Sequence, residues 1–339
     1  MRGARILFRA DASHDVGFGH VARATALIEE VQAQGGEPIA MFGGDVASVG
    51  SWTRDRGMSV DVQDWSAVQV AHFAEEQRVR AVVIDGRMIA DSLVPKLVER
   101  RIKVVLVDDN GRCTLPVGAV VNHNFHAPTL AGTYPAARQR LLGRRYLMLR
   151  KEIRRFMRGS CRPMPSSTLR VLVTFGGSDP VGATARVVRL MPDDRKLELV
   201  VIAGPGFRDD DTLRDSIAIA RGNGHVVDLR RSPADPGELF VSADAAICSA
   251  GGTLGELAYL GCPALAYAIA SDQVAPCRQQ VREGLIAGGR SWNELDDDTI
   301  ASDLQAFLSD DAGRNQQRQR ALATADSDGA RRVVDEALT

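Results

Sequence analysis
Gly17-Phe18-Gly19-His20 brings a histidine to the end of a glycine turn, shortly after the apolar run Ile6-Leu7-Phe8. Helical apolar spacing begins at Val21, so His20 is expected at or just inside the first turn of a helix. The positive end of the helix dipole disfavours an imidazolium there. That predicts a neutral ring able to act as a general base near neutral pH. A packing or capping role is the alternative reading of the same spacing. Asp11 and Ser13 lie on the same loop and could orient the imidazole, meet a ligand hydroxyl or cap the helix.

Half a chain later, Ser249-Ala250-Gly251-Gly252-Thr253 follows the apolar run Ala245-Ala246-Ile247-Cys248 and opens a short helix. Strand, glycine turn and helix N-terminus together make an anion corner, because N–H groups converge and glycine admits close approach. Ser249, Gly251, Gly252 and Thr253 suit a diphosphate. Glu256, about one turn inside, could reach ribose hydroxyls; the alternative is a capped helix with a solvated glutamate. Gly176-Gly177-Ser178-Asp179-Pro180 is a second strand-end turn, in which Ser178 and Asp179 either cap a helix or touch phosphate or sugar. Asp272-Gln273, after another strand, could bind sugar hydroxyls or face water. A corner in each half, one with a histidine, suggests two similar domains facing a shared phosphate-containing ligand.

The elements that must position these residues alternate. Runs at 5–9, 38–42, 81–85, 104–107 and 119–122 read as strands in the first half. In the second, runs at 169–174, 197–203, 226–229, 245–248 and 264–268 do so. Several are apolar on both faces, as in a parallel sheet covered by helices on both sides. Asp85, Asp108-Asp109 and Asn122 stand at strand ends, where open α/β sheets place ligands. The carboxylates are expected to line a cleft or cap helices, with Mg²⁺ coordination a weaker alternative. The segment 158–167, rich in Ser and Pro, is the expected linker between domains at 1–157 and 168–339. From Leu304 onward the chain reads as polar helices, the last of which could pack back on the first domain.

The 339 residues exceed one hydrophobic core, and 45% hydrophobic with 25% charged residues describes an ordinary globular chain. A net charge of −1 and only 5% aromatics argue against a nucleic-acid partner. The local basic run from Arg144 to Arg158 reads as a solvated helix face. Five cysteines without CxxC spacing fit a reducing, cytoplasmic setting better than disulfides or zinc. No signal-peptide pattern or membrane-length apolar run is present. His123 and His126 form an HxxH pair without an HExxH context, so no metal is expected. No P-loop occurs, and no GxGxxG follows the first strand in dinucleotide arrangement, so no cofactor is expected.

Four segments together carry a resemblance to a known family. They are ILFRADASHDVGFGH (6–20) with Arg23, LLGRRYLMLR (141–150) with Glu152, VLVTFGGSDP (171–180) and 246–273. The chain resembles the UDP-sugar hydrolase of pseudaminic acid biosynthesis, which acts on UDP-2,4-diacetamido-2,4,6-trideoxy-β-L-altropyranose, and the spore-coat polysaccharide proteins. It is similar in fold to the peptidoglycan N-acetylglucosaminyl transferase. The resemblance implies an α/β chain of GT-B architecture, two Rossmann-like doubly wound domains facing a central cleft. It also implies metal-independent release of UDP by water attack with inversion, His20 as the base and UDP in the second domain. Glycosyl transfer from a UDP-sugar is the alternative reaction, and nucleotide-sugar binding without catalysis a second. On this reading the catalytic residues are His20 and Asp11. The sugar side comprises Gly17, Gly19, Arg23, Asn122, Asn124, Ser178, Asp272 and Gln273. The UDP side comprises Gly177, Gly204, Leu229, Ser249, Gly251, Gly252, Thr253 and Glu256. A monomer is expected. The family carries a DHYG-like stretch before residue 90, and here Asp85-Gly86-Arg87-Met88 lacks its tyrosine.

Overall fold
The structure is a computed structural model that describes all residues except Ser59, Arg112 and 162–167, and of Arg87 and Met88 only the backbone. Most of the expected linker thus lies outside the described residues. The chain falls into two compact units, Met1–Lys151 with Asp326–Thr339, and Glu152–Ala325.

The first unit runs β1 (Arg5–Ala12), α1 (Gly19–Ala33), β2 (Glu37–Gly44), α2 (Val46–Arg54), β3 (Asp61–Val62), α3 (Ala67–Glu76), β4 (Ala81–Asp85), α4 (Arg87–Glu99), β5 (Lys103–Val107), β6 (Ala119–Asn122) and β7 (Gln139–Leu142). Its seven strands form one sheet in the order β3-β2-β1-β4-β5-β6-β7, every pair parallel. Alternation along β1 feeds both faces. Ile6, Phe8 and Ala10 pack with Val21, Ala24, Leu27 and Val31 of α1 on one side. Leu7 joins Val82, Leu93 and Leu97 on the other. Each such large apolar side chain contributes about 1.5–3 kcal/mol by leaving water. That apolar stripe of α1 explains why the helix forms where its spacing predicts.

The four-residue helix α5 (Lys151–Arg154) carries the passage from one unit to the other. The second unit then runs β8 (Leu169–Thr174), α6 (Ala183–Arg189), β9 (Leu197–Ala203), α7 (Asp210–Gly222), β10 (Val226–Arg231), α8 (Gly237–Val241), β11 (Ala245–Ser249), α9 (Thr253–Leu260), β12 (Ala264–Ala268), α10 (Ser271–Arg282), β13 (Ala287–Ser291), α11 (Asp297–Ser309) and α12 (Asp311–Thr324). Its six strands are again all parallel, in the order β10-β9-β8-β11-β12-β13. Both sheets are therefore doubly wound. The order reverses between β1 and β4 in one and between β8 and β11 in the other, and ligands bind at such switch points, beyond the strand C-terminal ends.

Two expectations change. The last segment, α13 (Gly329–Val333) with the π-helical turn Val334–Leu338, is not polar. Ala330, Val333, Val334, Ala337 and Leu338 are buried in the core of the first unit. Tyr146 donates to Glu336 (2.9 Å) and Gln34 to Asp335 (2.8 Å), fastening it there. The basic run is not one helix face either. Arg144 and Arg145 lie in a 3-10 turn, with Arg144 stacked over Phe125 and Arg145 paired with Glu336.

Candidate functional site
At the switch point of the first unit, His20 lies in the first turn of α1 and Asp85 ends β4. Nδ1 of His20 is 2.6 Å from Oδ1 of Asp85. Two lone pairs at that distance would repel, so a proton lies between them. A neutral ring that donates from Nδ1 to Asp85 keeps its lone pair on Nε2, the arrangement of an oriented general base; Arg23 Nη2 lies 2.8 Å from the same Nδ1. Arg23, one helical turn on, presents Nε to Asp85 Oδ2 (2.9 Å) and Nη2 to Oδ1 (2.8 Å). Its Nη1 reaches Asp109 (2.9 Å), just beyond β5, and Asn124 donates to the same carboxylate (3.1 Å). Asp85 is 1% exposed and Arg23 13%, so the pairing is screened little by water.

The charges follow from these contacts. Burial opposes ionisation of Asp85 and Asp109, but the Arg23 guanidinium, together with the neighbouring histidines and the hydrogen bonds, holds both carboxyls below their usual range. Burial likewise opposes the His20 cation, yet the Asp85 carboxylate wins and raises the imidazole above its ordinary 6.5. The helix-dipole argument predicted the opposite direction. A full negative charge at hydrogen-bond distance exceeds a half-charge spread over a helix turn. His123, buried beside Arg23, is held down at about 4 by burial and that guanidinium, and stays neutral.

Asp11 does not orient His20. It pairs with buried Arg9 (2.6 Å) and stands near Gly86, with 4.0 Å between its Oδ2 and a Cβ built there. Ser13 stitches its own loop, accepting from the N–H of Val16 (3.1 Å) while its carbonyl accepts from Gly17 (2.9 Å). Gly19 is the first residue of α1. Asn122 is fully buried and spends its amide internally, donating to Tyr134 (3.0 Å) and accepting from the N–H of Asn124 (3.1 Å). Asp108 accepts from the N–H groups of Asn110 and Gly111 and so braces its own turn. Among the described residues no group of three or more His, Cys, Asp or Glu side chains is placed to hold a metal ion.

At the switch point of the second unit, Ser249 ends β11, buried between two glycine turns. Its Oγ is 3.8 Å from a Cβ built at Gly176 and 3.8 Å from one built at Gly251. Gly176 has φ +86°, a conformation that a side chain disfavours. Gly204, beyond β9, has no room for a Cβ, which would lie 2.4 Å from the Gly177 carbonyl oxygen. No side chain caps α9, so the N–H groups of its first turn, at Gly252 and Thr253, are left for water or a ligand. Gln273 accepts from the N–H of Ile269 (3.1 Å), with its amide nitrogen 3.6 Å from a Cβ built at Gly251. Glu256 is buried in the first turn of α9.

Four more of the expected residues have these places. Asp179 caps α6, accepting from the N–H groups of Ala183 (2.9 Å) and Thr184 (2.7 Å). Leu229, on the edge strand β10, packs against the unit's core. Asp272 lies in the first turn of α10. Ser178 is buried beside Asp179. The residues that spacing missed are Asp85 and Asp109 as partners of His20 and Arg23. Their signal was present as carboxylates at strand C-terminal ends, but nothing local says which helix they meet.

No family model matches the chain. An uncharacterized protein of Methanocaldococcus jannaschii, MJ1062, is 24% identical over 265 residues, 76% of this chain and 54% of that protein. The chain therefore spans about half the length of this relative. Among solved structures, MurG of Acinetobacter baumannii superposes with a TM-score of 0.68 at 16% identity, covering 99% of each chain. The S. aureus MnaA–UDP co-structure does so with 0.68 at 10% identity, covering 98% of this chain and 95% of that one. UDP-GlcNAc 2-epimerase of Neisseria meningitidis, bound to UDP-GlcNAc, gives 0.65 at 10% identity over 98% and 99%. At these identities the likeness is one of fold, and the two parallel-sheet α/β units have the GT-B architecture.

Proposed function
We propose that the chain hydrolyses a UDP-linked amino or deoxy sugar, with His20 as general base. The observation that carries this reading is the His20–Asp85 contact at 2.6 Å. A carboxylate on Nδ1 leaves Nε2 to take a proton from water and then stabilises the imidazolium that forms. That water attacks the anomeric carbon as the bond to the UDP oxygen breaks, and the bonding pair leaves with UDP. A single displacement inverts the centre. The second unit holds the nucleotide: uncapped N–H groups at the start of α9 meet the diphosphate and stabilise the leaving charge. Arg23 keeps Asp85 and Asp109 ionised, so the polar floor beside His20 stays fixed while the ring titrates. The fold likeness to UDP-bound structures and the four segments that resemble the UDP-sugar hydrolase support the nucleotide and the reaction.

Glycosyl transfer is the second reading, favoured by the likeness in fold to MurG and to a glycosyltransferase of Rickettsia africae (TM-score 0.62 at 11% identity). There His20 deprotonates an acceptor hydroxyl instead of water. A panel of UDP-sugars, with and without acceptors, separates the outcomes. UDP release without acceptor supports hydrolysis. Release only with acceptor supports transfer, an isomeric UDP-sugar as product supports epimerisation, and binding without turnover removes the catalytic reading.

A further inference from the structure
The opposite end of the first unit's sheet carries a pocket of about 750 Å³ at the N-terminal rim of β5, β6 and β7, lined by Arg101, Ile102, Lys103, Val104, Pro116 and Arg138 among others. Lys103 opens β5 and Val107 closes it, so the length of that strand, roughly 13 Å at 3.3 Å per residue, separates the rim from the end bearing Asp109. The rim is thus distinct from the His20 site.

The pocket's charge is one-sided. No acidic residue lines it among the described residues. Neighbouring surface arginines are paired, Arg100 with Glu75 (3.1 Å) and Arg5 with Glu37 (3.1 Å). The side chains of Arg101, Lys103 and Arg138 make no ion pair or hydrogen bond among the described residues. Arg140, close by in sequence, instead spends its guanidinium on the Tyr134 carbonyl (2.8 Å). Partial burial and the nearby Arg80 cation lower the Lys103 pKa. The stem of Lys103 lies over the start of β6, where a Cβ at Gly118 would stand 3.1 Å from its Cγ. Val98, Ile102, Val104 and Pro116 supply an apolar wall beside the three cations.

We propose that this rim binds the phosphate group of an amphipathic phosphate ester. Arginine forks and an ammonium are the donors that phosphate takes best, and the apolar wall accommodates the esterified group. The volume is that of a small-molecule site rather than of a bare ion.

The test compares wild type with Arg101→Gln/Arg138→Gln, both exposed positions, and with Lys103→Gln as a second variant. The probes are phenyl phosphate, with phenol as control, by calorimetry, and phosphatidylcholine vesicles with and without phosphatidic acid by flotation. Wild type is expected to bind phenyl phosphate and not phenol, and each variant to lose at least about tenfold in affinity. Melting temperature and turnover should remain those of wild type. Loss in the vesicle arm alone still supports a phosphate site and identifies its source as a lipid headgroup. Equal binding by wild type and variants in both arms, including no binding by any of them, overturns the proposal.

Discussion
His20 and Asp85 are 65 positions apart in the chain, yet their side chains meet at 2.6 Å. The contact exists because β1 and β4 are adjacent parallel strands, with β2 and β3 set to the other side. It places the carboxylate at the start of α1 and makes the histidine a stronger base than its helix position alone would.

His20→Ala should lower turnover by roughly 10²–10⁴-fold with UDP affinity nearly unchanged, since the nucleotide is assigned to the second unit. The wild-type rate should fall on the acid side with an apparent pKa above 6.5, because the base works only when neutral and Asp85 raises its pKa. More than about a tenth of the rate surviving in the variant would place the base elsewhere.

Asp85→Asn tests the orienting carboxylate by two shifts at once. Turnover should drop by roughly 10²–10⁴-fold, because the tautomer is no longer enforced and the imidazolium loses its counter-charge. The acid limb should move to lower pH as the raising influence disappears. A slower enzyme whose acid limb has not moved would mean that Asp85 serves packing alone.

Arg23→Met leaves two buried carboxylates without their cation and should cost about 3–5 kcal/mol in urea unfolding near neutral pH. The folded-state pKa values of Asp85 and Asp109 are depressed, so their stabilisation is present above about 3.9 and is lost as pH falls through the folded values. His20 is raised, so its share is complete below about 6.5 and is lost as pH rises through its folded value. The deficit of the variant should therefore shrink as pH falls, since its carboxyls, buried without their cation, become neutral above the ordinary value of about 3.9. A deficit constant from pH 3 to 7 would contradict the charge argument.

Gly204→Ala inserts a methyl 2.4 Å from the Gly177 carbonyl oxygen. The nearest atoms, at Gly177 and Gly176, are all backbone, so the turn must move. Thermal or urea denaturation should show a loss of about 1–3 kcal/mol. UDP affinity should fall with it, because the displaced turn borders Ser249. Wild-type affinity in a destabilised variant would detach this turn from the nucleotide.

Glu256→Ala should weaken UDP by roughly tenfold to a hundredfold if the carboxylate accepts ribose hydroxyls. Calorimetry with UDP and with inorganic pyrophosphate separates the parts of the ligand. Ribose recognition predicts weaker UDP and unchanged pyrophosphate, and equal effects on both would assign Glu256 to the diphosphate corner instead.

Local pattern alone determined most of the secondary structure around both sites. Ala81–Asp85 and Leu169–Thr174 are strands at the residues their apolar runs mark, and α1 lies along its predicted stripe. Strand, glycine turn and helix start are all short-range features, so both strand–turn–helix corners were legible as such. The tertiary structure decided what depends on strand order. Asp85 and Asp109 were visible as strand-end carboxylates, but sheet adjacency, set by long-range packing, joined them to His20 and Arg23 rather than to water or a cation. It also paired Asp11 with Arg9, while Asp85 took the place on the histidine ring. The charge of His20 followed, since a helix dipole can be read from sequence whereas a carboxylate 65 residues away cannot. The segment after Asp326 shows the same division. Ala330, Val333, Val334, Ala337 and Leu338 share one helix face by spacing alone, but only the tertiary structure decided that this face is buried in the core of the first unit.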